Sequence, residues 1–580
     1  MIYKLIIFII LFSSSSLFLI IDYFGTNVPA NEDWWFVEGS YDILHRDKPV
    51  LENLINPQGN DHLLFFMRLI FLLSAKYAEW DLRFVMHAGA LFIIGALIIK
   101  TVYASKTLKS PIASALAASI FLFFTLLPNQ ITFWLWAETI YIYSITNFFL
   151  ILLLIVNLSK LNHYYKFIFS AVLSLCAILS TSYGFIGLIL VPLLWIFHQP
   201  SNRKTTIHLV ICWCALIAAI LTTSYLIFSS IDVPIDDQVS NRVDYLISKT
   251  GSLSAFFTST IFFFSLLGMP FLTDNVSINF LAMYGLLVLL SFFFCCYQII
   301  SKKRIWTLDR KVLFWLFLGF LNLSCLALIS LGRGSYGLGH LSGRYIFWVL
   351  HFYSVLCFMI LYIITSLEVK HWVRYMLSFV IGSILMGTAI SGVDHIADIK
   401  PFVWDERNRR AALICVNISD DIEKLILGRR GRPEISHSDL RKFGSHGVFG
   451  DLITGEQISE CLQRKNYIGS CSGWSISYDN RLTLNGHAVH PLNEKRMDAV
   501  IAIYDDADRT FLGISTECHI LLNGLSRDLF TGWELTFEYN DIDLSKILLF
   551  GIDAQRSEVY PISNDLKTDS VHFNLKTHTE

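Results

Sequence analysis

Apolar and polar stretches alternate along the first two thirds of this chain at a spacing set by a bilayer. Runs near the length of a spanning helix, about 20 residues, fall near 2–21, 83–103, 111–127, 138–158, 166–181, 184–198, 207–228, 277–299, 311–331, 345–366 and 372–391. A twelfth run, LSAFFTSTIFFFSLLGM, falls at 253–269, and by itself it does not decide between a span and a partial insertion. From about 465 the pattern shortens to WSISYD, RLTLNGHAV, AVIAIYDD, TFLGIST, WELTFEYN and ILLFGIDA, separated by turns rich in Asn, Asp and Gly. Such alternation between turn signals predicts an antiparallel β-sandwich.

Loop charge orients the helices, because Lys and Arg near span ends stay on the cytoplasmic side. The basic loops are KTVYASKTLKS, KLNHYYK, QPSNRKTTIH, SKKRIWTLDRK and EVKHWVR. With all five inside, eleven spans start inside and end outside, and 253–269 becomes a re-entrant or interfacial helix. The outer regions are then 22–82, 128–138, 229–252 through 276, and 332–344, together with the C-terminal domain.

The expected fold is therefore a mainly α polytopic membrane protein with about eleven transmembrane helices, one re-entrant or interfacial helix and a C-terminal periplasmic β-sandwich. Residues 1–392 form the membrane domain with a large first loop (22–82), 393–464 a partly helical linker, and 465–580 the sandwich. The opening, MIYKLIIFIILFSSSSLFLIIDYFG, has no small-x-small cleavage site and reads as an uncleaved first span.

Composition agrees. Of 580 residues, 54% are hydrophobic and 16% charged, against about 25% charged in soluble domains. The bilayer is thus one partner. A net charge of −2 implies no basic face and no nucleic-acid partner. Seven of the eleven cysteines lie in apolar segments as filler. Cys415, Cys461, Cys471 and Cys518 lie beyond them, with Cys461–Cys471 the expected disulfide. No Cys/His spacing suggests a metal site, and Asp505, Asp506 and Asp508 read as a hairpin turn.

The first outer loop concentrates acids. NEDWW sets Glu32 and Asp33 against Trp34 and Trp35; a carboxylate shielded by indoles has a raised pKa and suits a general base. The same pair also reads as a solvated helix start beside an interfacial aromatic belt. Asp61 and His62 precede a run in which Arg68 falls two helical turns beyond Asp61; this arginine either orients a carboxylate or phosphate, or anchors at the interface. Glu138 in FWLWAETIY, with Trp134 and Trp136, either lines a sugar site or begins a helix favourably. Arg333 and Arg344, in LGRGSYGLGHLSGRY, stand on the side where arginine is disfavoured. A guanidinium fork suits a departing phosphate oxyanion; snorkelling to head groups is the alternative.

These pieces, NEDWW, QGNDHLLFFMRLIFLL, FWLWAETIY, STSYGFIGLILVPLLW and GRGSYGLGHLSGRY, together resemble bacterial GT-C-type glycosyltransferases, closest to serotype-converting O-antigen glucosyltransferases. The likeness covers roughly residues 1 to 392 and is mostly architectural. Where the family has Glu-His-Arg, this chain has Asp61-His62-Leu63, and Arg68 is the substitute available. The resemblance implies an inner-membrane enzyme transferring a hexose from undecaprenyl phosphate to a surface-polysaccharide hydroxyl, without cofactor or metal. A separate flippase and a donor-forming enzyme would supply the substrate. Asp33, or Glu32, is then the base, Asp61 and His62 hold acceptor or base, and Arg333 and Arg344 meet the lipid phosphate. A transporter or flippase is the rival; it would bury ionisable groups at mid-membrane, whereas charge here concentrates at outer span ends.

Overall fold

The structure, a computed structural model, describes residues 2–27, 29, 32–55, 63–198, 203–229, 253–271, 276–302, 308–333, 343–414, 453, 455–464, 467–476, 481–488, 497, 499–505, 511–515, 532–538, 543–553 and 558–563. It resolves into two compact units. One comprises Met1–Phe24, Asp42–Ile70 and Phe84–Ile399; the other comprises Gly25–Tyr41, Phe71–Arg83 and Lys400–Glu580.

The helices are α1 (Ile2–Phe24), α2 (Asp33–His45), α3 (Val50–Ile55), α4 (Phe65–Tyr77), α5 (Leu82–Thr107), α6 (Pro111–Thr125), α7 (Ile131–Trp134), α8 (Ala137–Leu158), α9 (His163–Ser180), α10 (Phe185–His198), α11 (Arg203–Ser229), α12 (Leu253–Gly268), α13 (Ile278–Lys302), α14 (Arg310–Arg333), α15 (Ile346–Ser366), α16 (His371–Ile414) and α17 (Gly455–Arg464). Every expected apolar run falls on one of them. Among the described residues, eight helices are long and apolar enough to cross a membrane: α1, α5, α8, α9, α13, α14, α15 with its preceding turn, and α16 as far as His395. A ninth results if α6 and α7 count as one bent span; α10, α11 and α12 contribute shorter apolar stretches. The chain is mostly helical and of polytopic membrane type, with a small C-terminal sheet region.

Local chemistry sets several helix ends. The Ser110 hydroxyl accepts the Ala113 N–H, and Pro111 occupies the first helical position of α6, where a missing N–H costs nothing. After Thr125 the axis bends by 46° at a 3₁₀ turn, Pro128–Gln130. Gln130 stays inside the bend and donates its Nε2 to the carbonyls of Phe124 at 2.6 Å and Thr125 at 3.3 Å, satisfying acceptors that the break exposes. Within the second unit, Asn27 Oδ1 accepts the Leu82 N–H at 2.8 Å and so caps the start of α5.

The short helix α12 packs very closely on α13. A β-carbon at Gly268 would lie 2.1 Å from the Leu281 carbonyl oxygen, and one at Gly285 1.9 Å from that of Phe264. Only glycine permits this backbone approach, and small residues at such seams are how apolar helices associate in lipid. Tyr353, deep in α15, donates its hydroxyl to the Leu267 carbonyl, tying α12 to the bundle.

At the ends of α8 and α9, Asn157 uses all its side-chain groups. Its Oδ1 accepts the Trp195 indole N–H at 2.7 Å, and its Nδ2 donates to Ser170 Oγ and the Leu153 carbonyl, each at 2.8 Å. The backbone carbonyl of Asn157 accepts Lys166 Nζ at 2.9 Å.

In the second unit, β1 (Gly469–Ile476), β2 (Arg481–Ala488) and β5 (Gly532–Glu538) make one antiparallel sheet in the order β1-β2-β5. The strands β3 (Ala499–Tyr504), β4 (Phe511–Ile514), β6 (Ile547–Asp553) and β7 (Glu558–Ile562) make another, in the order β4-β3-β6-β7. Leu482, Leu484, Leu535 and Phe537 of the first sheet share one core with Val500, Ala502, Ile547, Leu549 and Ile562 of the second. This is the layering expected from alternating strands.

The Cys461–Cys471 disulfide does not form. Cys461 Sγ lies against the Val559 carbonyl and Cys471 Sγ against that of Asn485, each at 3.4 Å. Proximity along the chain misled because α17 and β1 direct these thiols to different strands. Cys415 and Cys518 lie outside the described residues. The partly helical linker is helical at both ends, in α16 and α17.

Candidate functional site

Three of the expected residues converge in the first unit. Glu138 stands in the first turn of α8, Arg333 is the last residue of α14, and Arg344 lies in the 3₁₀ turn Gly343–Tyr345 that leads into α15. Arg344, Glu138 and Tyr345 are within electrostatic reach of the Tyr143 hydroxyl; Arg344, Arg333 and Tyr345 are within reach of Tyr183, whose ring centre is 5.9 Å from that of Tyr143. The Arg344 guanidinium carbon is 5.7 Å from the centre of the Trp136 ring and 5.4 Å from that of Tyr345, within cation–π range.

The walls are aromatic. Tyr143, Tyr183 and Trp348 form a triangle with ring centres 5.9–6.3 Å apart, and Phe133 stacks on Phe347 at 4.7 Å. Tyr183 is held by the turn Ser182–Gly184 that follows α9. There the Thr181 hydroxyl accepts the Tyr183 N–H at 2.9 Å, and a β-carbon on Gly184 would lie 2.1 Å from the Ala177 backbone. The turn can sit so low on α9 only with glycine there.

Several buried polar atoms around this pocket have no hydrogen-bond partner among the described residues: Trp136 Nε1, Trp348 Nε1, and both side-chain atoms of Asn129. Native interiors rarely leave such groups unmatched unless water or a ligand meets them. The pocket can therefore offer indole donors, an amide and a guanidinium to a polyhydroxyl or anionic molecule.

The remaining expected residues lie elsewhere. Glu32 and Asp33 belong to the second unit. The Glu32 carbonyl accepts the Trp35 N–H, and Asp33 opens α2, so the pair does start a helix. Asp33 is not solvated, however: it is 1% exposed and Trp34 7%. Asp42, in the first unit, is a structural acid held by Arg46 at 2.9 Å and by Lys48. Arg68, on α4, reaches Asn53 Oδ1 at 3.5 Å, and its Nε has no partner among the described residues. Burial pulls its pKa down to about 10. Asp61 and His62 lie outside the described residues.

The sequence reading missed Tyr143, Tyr183, Trp348 and Asn129, whose only signal was position beside motifs already singled out. It also misplaced Lys100, counted with a cytoplasmic basic loop. Lys100 lies on α5 and is 2% exposed; its Nζ contacts His351 Nδ1 and Ser354 Oγ, both on α15 and both at 3.3 Å. Charge is thus not confined to outer span ends, because α5 continues as helix to Thr107 and carries the lysine inward.

No known protein family, curated protein or solved structure matches this chain.

Proposed function

We propose that the protein is a polytopic inner-membrane glycosyltransferase that moves a sugar, a hexose such as glucose, from undecaprenyl phosphate to a surface-polysaccharide hydroxyl on the periplasmic face. The observation that supports it most is the pocket of Arg344, Glu138, Tyr143 and Tyr183. A guanidinium beside indoles with unmatched N–H groups suits an anionic, hydroxyl-rich ligand such as a lipid-linked sugar phosphate.

In this reading the acceptor oxygen attacks the anomeric carbon as the bond from that carbon to the phosphate oxygen breaks. The acceptor proton passes to a carboxylate, with Asp33 the base, or Glu32 in its place. Polyprenyl phosphate leaves as an anion met by Arg344, with Arg333 at the rim. Asp61, His62 and Arg68 keep the supporting roles implied by the family resemblance. Eleven crossings, with α12 re-entrant, put the sandwich in the periplasm, where it would grip the acceptor polymer.

A second reading, a lipid-linked-sugar flippase or transporter, is favoured by Lys100, an ionisable group buried among apolar helices as such proteins require. One experiment separates them: proteoliposomes containing the full chain receive polyprenyl phosphate carrying a radiolabelled sugar, plus acceptor glycan. Label appearing in glycan, and abolished by Arg344→Ala, supports transfer; label that only changes leaflet supports the second reading.

A further inference from the structure

Glu138 and Arg333 mark one end of α8 and α14; the far ends of the same two helices carry a different chemistry. There the loop after α5, the loop after α8 and the start of α14 are tied together. Arg310 Nη1 donates to the Ser159 carbonyl at 2.9 Å, Lys311 Nζ to the Lys106 carbonyl at 3.0 Å, and the Trp315 indole N–H to Thr107 Oγ1 at 3.2 Å. Lys166, in the first turn of α9, donates to the Asn157 carbonyl at 2.9 Å. These carbonyls belong to the last turns and caps of α5 and α8, where acceptors lack helical partners.

The bonds fix the side chains without neutralising them, because each helix C-terminus returns only about half a negative charge. Against that stand Lys106, Lys109, Lys160, Lys166, Arg310 and Lys311. Within 106–111, 159–166 and 309–311 the sole acid is Asp309, whose Oδ1 accepts the backbone N–H of Lys311. No ion pair among the described residues includes any of these cations. Lys166 is 3% exposed and within electrostatic reach of Arg310, while Lys106, Lys109 and Lys160 are exposed. Beside them Tyr164 and Tyr165 are 67% and 54% exposed, amphipathic rings of the kind that sit at headgroup depth.

We propose that this cluster is a binding surface for an anionic phospholipid headgroup of the phosphatidylglycerol class. Arg310 and the exposed lysines of the two loops hold its phosphodiester. Arg310 spends one N–H on Ser159 and keeps the rest of its planar fork for phosphate oxygens, and basic surfaces between spans suit such headgroups. Exposed apolar residues continue from the cations along the helices, Ile112 and Leu116 on α6 and Phe169 and Val172 on α9. Acyl chains would cover them, whereas a soluble phosphate or an acidic protein segment would leave them bare. The surface lies at the opposite end of α8 and α14 from the Arg344 pocket and is independent of any glycosyl transfer.

The test titrates the full chain in detergent with phosphatidylglycerol or with phosphatidylcholine of the same acyl chains, and native mass spectrometry reads the lipid-bound fraction. Expected is a preference for the anionic lipid that falls about fivefold for each lysine neutralised in a variant combining Lys106→Gln, Lys109→Gln and Lys160→Gln, and that Lys76→Gln on α4 leaves unchanged. Equal binding of the two lipids, equal preference in variant and wild type, or an equal loss in Lys76→Gln overturns the proposal. Displacement of the lipid by millimolar inorganic phosphate or by polyglutamate also overturns it, in favour of a soluble anion. Should the combined variant fail to fold, Lys160→Gln alone decides on the same readout.

Discussion

The Arg344 guanidinium lies over the indole of Trp136, 5.7 Å from its centre, although 208 residues separate them in the chain (344 − 136). If this arginine meets a phosphate leaving group, Arg344→Ala should lower kcat for sugar transfer by about 10²–10³-fold, the usual cost of losing one oxyanion donor. Arg344→Lys should recover only part, because a lysine is a point charge without the planar fork. Steady-state transfer assays in membranes check both; unchanged kcat in the alanine variant removes Arg344 from the reaction.

Asp33 is a nearly completely buried carboxylate at the start of a helix. As the general base it should be irreplaceable by its amide, and Asp33→Asn should reduce transfer by about 10²–10⁴-fold while membrane insertion is retained. Full activity in that variant, with Glu32→Gln inactive, moves the base by one residue.

Gly184 lets the Tyr183 turn settle on α9. Gly184→Ala forces a methyl group against the Ala177 backbone and should cost about 1–3 kcal/mol of stability, as overpacking does. Tyr183→Phe keeps the ring beside Tyr143 and removes the hydroxyl. It should spare the unfolding temperature but weaken donor binding, measured as a rise in KM.

Asn157 binds three elements with one side chain. Asn157→Leu orphans the Trp195 N–H, and the expected loss is about 1–3 kcal/mol, read from thermal unfolding in detergent. A double variant with Trp195→Phe removes the orphaned donor and should recover part of that loss.

In the sandwich, Leu535 is fully buried in the shared core. Leu535→Ala should cost about 2–5 kcal/mol, detected as increased proteolysis beyond residue 465. An unchanged proteolytic pattern would count against one core serving both sheets.

Much of the candidate site is legible in the sequence, but only as types of residue near span ends. Arg333 and Arg344 stand out as cations on a disfavoured face, Glu138 reads equally well as an ordinary helix-starting acid, and the three gather around Tyr143 and Tyr183. Tyr143 and Tyr183 gave no such signal, since a tyrosine in an apolar run is equally good as packing. Asp33 was recognisable as an acid beside indoles, yet whether it is solvated depends on what covers α2. Lys100 was misread because loop charge and buried charge look alike until the helix end is known.

The sequence by itself determined where helices and strands form, because apolar runs of spanning length and two-residue alternation are local properties of the backbone and its solvent. The bend at Pro128 and the cap at Ser110 are local in the same sense. The tertiary structure alone decided which polar groups meet: Lys100 with His351, Tyr143 with Tyr183, Trp136 with Arg344. Those pairings follow from the rotation of each helix about its axis and from close approaches such as those at Gly184 and Gly268, which are fixed by packing of residues far apart in the chain.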